Sequence, residues 1–581
     1  MYDLVIRNGT VIDGTGNAAR IADIAVQDGK IAVVGKVDDA GREEVDATGL
    51  IVTPGFIDLH THFDGQALWS PRLNPSSAHG VTTVIIGNCG VGFAPCRPQD
   101  RDLLCDTMEG VEDIPGAVMR EGLAWDWESF PEYLDALAAV PRDIDVGALL
   151  PHSPVRVYVM GERGAEREAA TDDDLAAMSR IVREGIAAGA LGFGTSTTPV
   201  DRRKDGALVP SFAAATRELV AAAVAMKDAG GGLFQIVPEL GMSGSTPEED
   251  FAVLREVSEA SGMPVTFTLM EGRRYPGHSS RLLELAHEHN ARGGARIHPQ
   301  FLPRPLGMMA SFDLTSNPFL HCPTYQSLLA LPLAERMAEL RKPEVKARII
   351  GEQPGEALLP LTALTRQFDI MYELGNPPCY EPAPGSSVAA RAQAAGRTPE
   401  DLAYDLLLED DGRQMMLVAL GNFIDESMDV VIPYFEDSDT VIGLGDGGAH
   451  YGLICDASYP TYVLSHWARD REGYRVTLEK AVQAMTQTPA RVIGLKDRGT
   501  ITPGLKADIN IIDHASLTLG RPFPIDDLPA GGRRLDQRAK GYRATYVSGV
   551  AIQRDDTPTG ALPGRLVRSG QATQTDATRA A

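Results

Sequence analysis

The feature that most constrains this chain is a recurring pair: a short, almost continuously apolar run, then a longer stretch with helical spacing. Eight such runs stand at 55–62, 81–88, 144–151, 190–195, 233–237, 264–270, 295–300 and 440–446. Helical patterns such as 173–188, 213–228 and 247–261 lie between them. Strands apolar on both faces belong to parallel sheets covered by helices. Eight βα units predict an α/β chain folded as a TIM-like (β/α)8 barrel. The seventh and eighth runs are far apart, so an insertion with extra helices is expected at about 305–435.

The two ends read differently. Residues 1–52 hold β-branched runs broken by Asn8-Gly9 and Asp28-Gly29, which are hairpin signals. The same style returns in 507–513 and 544–552. Chain ends often lie close together, so both segments are expected in one small β-sandwich domain. The expected division is 1–52 and 498–555 for the β domain and 53–497 for the barrel. Residues 556–581, rich in Thr, Gly, Ala and Asp, read as a loose tail.

The chain has 581 residues and a formal net charge of −25, which disfavours polyanionic partners such as nucleic acid or an anionic membrane. Six cysteines are too sparse for a disulfide framework and fit a reducing compartment. With no signal-peptide pattern at the first residues and no apolar run near the ~18 residues of a membrane helix, a cytoplasmic location is expected. Neither a GxGxxG after a strand nor a GxxxxGK[ST] occurs, so nucleotide phosphate binding has no support.

His60 and His62 close the first run. Two residues apart on a strand, they project from one face, at the strand end where barrel sites form. Paired imidazoles suit zinc and similar metals, although alone such a pair is as readily an ordinary hydrogen-bonding feature. Cys89 ends the second run and is either a core thiol or a thiolate ligand. Asp446, in Gly445-Asp446-Gly447-Gly448-Ala449-His450, ends the eighth and is either a turn residue or a metal-binding acid/base. Further polar groups at strand ends are His152, Gln235, Glu239, Thr268, Glu271, His298 and His450, each a candidate to touch substrate or support a ligand. Cys96, Cys105, His278, His287 and His289 read as structural.

Together these residues resemble the amidohydrolase superfamily. The opening DLVIRNGTVIDGTG, the turn VTPGFIDLHTHFD and the closing TPARVIGLKDRGTITPGLKADINIID carry the likeness. HGVTTVIIGNCGVGFAP narrows it to the N-acyl-D-amino acid deacylase (D-aminoacylase) branch. The resemblance implies a metal-bearing (β/α)8 barrel flanked by a small β domain, with His60, His62 and Cys89 at the metal and Asp446 as acid/base. It also implies a histidine at the ends of strands five and six. This chain reads LFQIVPELG and PVTFTLMEG there, with none. No strand run holds a lysine, so a carboxylated lysine bridging two metals is not expected. The expectation is therefore one zinc, held by His60, His62, Cys89 and Asp446.

The expected activity is hydrolysis of a C–N bond in a small-molecule amide, with N-acyl-D-amino acids as the substrate class the resemblance implies. Arg273 and Arg274 are the candidate clamp for a substrate carboxylate; a solvated loop explains them as well. The alternatives are a hydrolase of a more apolar or cyclic amide, an isomerase or lyase using the same residues, and a non-catalytic relative. The insertion is expected as a lid, a homo-oligomer interface, or both.

Overall fold

A computed structural model describes residues 1–212, 214–357 and 360–570. Its barrel strands are Phe56–Asp58, Val81–Ile86, Asp145–Pro151, Gly192–Ser196, Leu233–Val237, Val265–Thr268, Ile297–Phe301 and Val441–Ile442, one for each apolar run. They pair in parallel and in sequence order from the first to the eighth. The helices between them begin where local chemistry says they should. Thr171 with Asp174, and Thr246 with Glu249, form capping boxes for helices Asp172–Ala187 and Pro247–Ser261. The stretch expected at 213–228 is helical from Thr216 to Asp228, while residue 213 lies outside the described residues.

Alternation sorts the strand residues. Ile57, Leu59, Ile85, Leu149, Leu191, Leu233 and Val441 pack inward as the barrel floor, together with Ala490, Val492 and Ile493. Phe193, Phe234, Phe267 and Phe301 face the outer layer of helices. Polar side chains near the strands' C-terminal ends are therefore raised above an apolar plug.

The β domain is built from both ends of the chain. Its nine-stranded sheet runs from Thr557–Pro558 at one edge to Lys30–Gly35 at the other. Ile51–Pro54 pairs antiparallel with Ile509–Ile512 and joins the N-terminal half to the C-terminal half. Leu4, Ile6, Val26, Ile509, Ile511 and Tyr546 share its core.

Residues 556–570 depart from the expected loose tail. Leu566–Val567 runs parallel to Val146–Gly147 of barrel strand three. The Gly564 N–H donates to Arg142 O at 2.9 Å, and the Ser569 N–H to Gly189 O at 2.9 Å. A two-residue apolar pair gives too short a pattern to show itself in sequence, and backbone pairing supplies the order instead. Residues 571–581 lie outside the described residues.

The insertion holds a three-stranded antiparallel sheet, Leu306–Ala310, Met416–Gly421 and Met371–Glu373 in that spatial order, and several short helices. It is fastened to loops at the barrel mouth: the Met309 N–H donates to Leu453 O at 2.7 Å, and the Asn422 N–H to Glu271 O at 2.9 Å. Among the described residues no helix is long and apolar enough to cross a membrane.

Candidate metal centre

The first and eighth strands share no ladder, yet the barrel closes just above them. The Asp446 N–H donates to His60 O at 3.1 Å, and the His62 N–H to Gly447 O at 2.8 Å. Asp58 braces this seam from below. Its buried carboxylate accepts the His60 N–H at 3.1 Å and also the Gly445 N–H. Only glycine fits at 445, since a Cβ there would stand 2.0 Å from Asp58 Oδ2.

Four of the sequence candidates converge at this seam. His60 Nε2 lies 3.1 Å from Cys89 Sγ, and His62 Nε2 lies 3.8 Å from it. Asp446 Oδ1 stands 3.7 Å from His60 Nε2 and 3.8 Å from His62 Nε2. Cys89, Asp446 and His450 all take left-handed backbone conformations, at φ +55°, +46° and +50°. Such conformations are costly for residues with a Cβ and cluster at functional sites.

The ring orientations are set from behind. His60 Nδ1–H donates to Gln300 Oε1 at 2.9 Å, which leaves the Nε2 lone pair for the centre. His62 Nδ1 lies 3.3 Å from Glu112 Oε1, and His450 Nε2 lies 3.5 Å from Glu112 Oε2. Glu112 thus stands between two imidazoles. Gln235 Oε1 accepts the Cys89 N–H at 3.0 Å and fixes the left-handed turn that presents the thiol.

Charge at the seam is unbalanced. Burial pushes the Asp446 and Glu112 carboxyls well above their ordinary range, and neighbouring carboxylates push them further. Burial alone raises Asp58, Asp64 and Asp201 to about 7. It also holds His60 and His450 down at about 4, so their rings stay neutral. Neutral imidazoles among buried acids fit a cation, whose charge offsets the penalty of ionising the acids. The spacing fits too. Zinc bonds of about 2.0–2.3 Å give a tetrahedron with edges of about 3.3–3.7 Å, close to the 3.1–3.8 Å that separate the two imidazoles from Cys89 and from Asp446.

Gln235 and His450 also belong to this centre. His152, Glu271 and His298 do not. His152 begins helix His152–Met160, so strand alternation ends at Pro151 and the ring turns to the outer layer. There it bonds Thr195 Oγ1 at 2.8 Å and Glu218 Oε1 at 2.7 Å. Glu271 caps helix His278–Ala291, accepting N–H groups from Gly277 at 2.6 Å and Ser279 at 3.2 Å. His298 faces inward two residues below Gln300, and its Nδ1 donates to Asp439 O at 2.9 Å. Arg273 is paired with Asp369 at 2.6 Å on the exposed surface.

Sequence reasoning missed Glu112, Asp58, Asp64 and Asp201. Glu112 ends helix Arg101–Glu112, and nothing in its surrounding sequence distinguishes it from a solvated helical acid. Asp58, sharing a strand with His60, offered the one readable signal: an acid inside an apolar strand needs a partner. His287, Asp437 and Asp439 form a second group with metal-ligand spacing, but Asp439 already holds the Arg296 guanidinium and Asn290 Nδ2.

A model of the amidohydrolase family matches residues 43–381 and 434–553. The chain is 27% identical to a D-aminoacylase of Alcaligenes xylosoxydans xylosoxydans over 97% of each chain. It is also 27% identical to an N-acyl-D-aspartate deacylase of the same organism, over 98% of this chain and 96% of that one. An N-acyl-D-glutamate deacylase from Bordetella bronchiseptica, solved with zinc and a phosphonate mimic of the tetrahedral intermediate, superposes with a TM-score of 0.64 at 23% identity. That match covers 98% of this chain and 100% of that one, and shows the same fold. The matches support metal-dependent hydrolysis of an amide with a divalent metal. The chain belongs to the amidohydrolase family, in the branch of the D-aminoacylases.

Proposed function

We propose that this protein hydrolyses the amide bond of an N-acyl-D-amino acid, using one divalent metal, zinc by its donor set, held by His60, His62, Cys89 and Asp446. The observation that carries the reading is the gathering of His60, His62 and Cys89 ligand atoms within 4.8 Å of one another, with Asp446 Oδ1 standing 3.7 and 3.8 Å from the two imidazoles. Two imidazoles, a thiolate and a carboxylate are borderline and soft donors of the kind zinc takes. The choice of N-acyl-D-amino acids rests on the relatives named above.

When bound, the metal would lower the pKa of a water and polarise the scissile carbonyl. The remaining work belongs to the protein. Gln300 keeps the His60 ring in the tautomer that leaves its Nε2 free, and Glu112 stands 3.3 Å behind His62 Nδ1. Asp446, on the cleft side of the seam, takes the proton of the attacking water and passes it to the leaving nitrogen. The insertion, tied to the loops that carry Glu271 and Leu453, screens the mouth from bulk water.

The test is metal content of the purified protein by elemental analysis, then turnover of a panel of N-acyl-D- and N-acyl-L-amino acids with and without chelator. One metal per chain and chelator-sensitive cleavage of the D series is the expected result. Two tightly held metals sink the mononuclear centre. No metal after supplementation, and no cleavage, moves the protein to the non-catalytic relatives.

A further inference from the structure

The inward faces of barrel strands five, six and seven carry hydrogen-bond donors that the reaction above leaves unused. Leu233 packs into the barrel floor while Phe234 and Ile236 face the outer core, so alternation turns Gln235 inward above Leu233. Val265 and Phe267 face outward, which turns Thr268 inward. Ile297 and Phe301 do the same for Gln300. Thr268 and Gln300 stand side by side in register.

Three donors on this wall are buried and lack a partner among the described residues: Gln235 Nε2, Thr268 Oγ1 and Gln300 Nε2. Gln235 and Gln300 are 1% exposed and Thr268 6%. The carboxamide orientations follow from chemistry. A backbone N–H can only donate, so Gln235 must turn its oxygen to Cys89. A metal-binding His60 must keep its proton on Nδ1, so Gln300 turns its oxygen to that ring. Each amide oxygen holds a ligand-bearing residue, and each NH2 is left over beside it. A buried donor without a partner costs free energy, and such groups in native proteins call for a use. Gln300 Nε2 lies against Gly443 of strand eight, where a Cβ would stand 2.5 Å away. Gln235 and Thr268 remain for a ligand.

We propose that Gln235 Nε2–H and Thr268 Oγ1–H form the oxyanion-binding face of this site. The inference rests on the amide-hydrolysis reading above. As the water oxygen bonds to the carbonyl carbon, the carbonyl π pair moves onto oxygen, and the two donors meet the charge that develops there. When that pair returns, the C–N bond breaks with its electrons on nitrogen, which takes the water's proton from Asp446. Acid and amine are the products. The arrangement also orients the substrate: carbonyl oxygen toward strands five and six, leaving nitrogen toward Asp446 at strand eight. Both donors are neutral, so they add no charge that competes with the metal for the buried acids.

Thr268→Val tests this: it keeps the shape and removes the hydroxyl, with Thr268→Ser as the rescue. Three quantities are read: metal content by elemental analysis, kcat and KM for the fastest N-acetyl-D-amino acid of the panel, and the Kd of its methylphosphonamidate analogue by calorimetry. Thr268→Val should hold wild-type metal. It should lose about 10²-fold in kcat, with a matching loss of affinity for the tetrahedral analogue, while KM stays within about threefold. Thr268→Ser should recover most of both. A fully metallated Thr268→Val with wild-type kcat and analogue affinity overturns the oxyanion face and leaves the hydrolase reading standing. Wild-type protein that neither holds metal nor cleaves an amide sinks that reading, and the oxyanion face with it.

Discussion

The Asp446 N–H donates to the His60 carbonyl at 3.1 Å, and this bond joins the last barrel strand to the first. The same two residues offer side chains to the candidate metal centre 3.7 Å apart. Closing the barrel and assembling the ligand set are thus one geometric event.

Asp446→Asn should separate binding from chemistry. The carboxamide keeps one oxygen toward the histidines but cannot carry the water's proton. Activity should fall by about 10²–10⁴-fold, while metal content falls much less. Elemental analysis beside kcat decides; unchanged turnover removes Asp446 from the acid/base role.

Cys89→Ala removes the one thiolate. Metal affinity should fall, and a sulfur-to-metal charge-transfer band expected of the cobalt-substituted wild type should be absent from the variant. A variant with full metal affinity and an unchanged cobalt spectrum returns Cys89 to a core thiol.

Glu112→Gln addresses a group that touches ligands rather than metal. Weaker support for the His62 ring should cost about 10–100-fold in metal affinity, read by competition with a chelator. Equal affinity means that the 3.3 Å contact with His62 carries no weight.

His79 gives a pH dependence away from the centre. It is buried between Thr461 Oγ1 at 2.7 Å and Gln537 O at 3.0 Å, and burial lowers its pKa to about 4. The unfolded chain takes up a proton near pH 6.5 while the folded chain does not. Stability from neutral His79 is therefore complete above pH 6.5 and drains away as pH falls toward 4, by about 3 kcal/mol at most. Urea melts of wild type and His79→Gln should converge across that window. Parallel curves rule His79 out as the source.

Arg498 ties the barrel floor to the β domain. Its guanidinium meets the Asp145 carboxylate at 2.5 Å, with Lys506 2.9 Å from the same acid, and all three are largely buried. Arg498→Met leaves Asp145 with one cation, and breaking such a buried pair costs about 3–5 kcal/mol. Denaturant melts should show the loss, with metal content per folded chain unchanged.

Much of the fold was legible because periodicity reports burial. Runs such as Val81–Ile86 and Leu233–Val237 are apolar on both faces, which only covered parallel strands tolerate. His60, His62, Cys89 and Asp446 could be singled out as candidates because each ends such a run. Strand ends also suggested His152 and Glu271, and there the rule misled. A helix begins at His152 itself, and Glu271 is claimed by N–H groups eight or fewer residues further along the chain. Local hydrogen-bond demand outranked position. Glu112 and Asp201 come from loops and helix ends whose approach to the centre is a matter of tertiary packing, and no spacing encodes it.

The Asn510 side chain bonds Pro54 O across a sequence separation of 456 residues, at the junction of the two halves of the β domain. During synthesis at about 5–20 residues per second, the first strands wait on the order of twenty to ninety seconds for their partners. For that interval Ile51–Pro54 is an open edge of β-branched backbone. The protein's exposure to misassembly is therefore set by the clock of translation, and slowing the ribosome late in the message lengthens it.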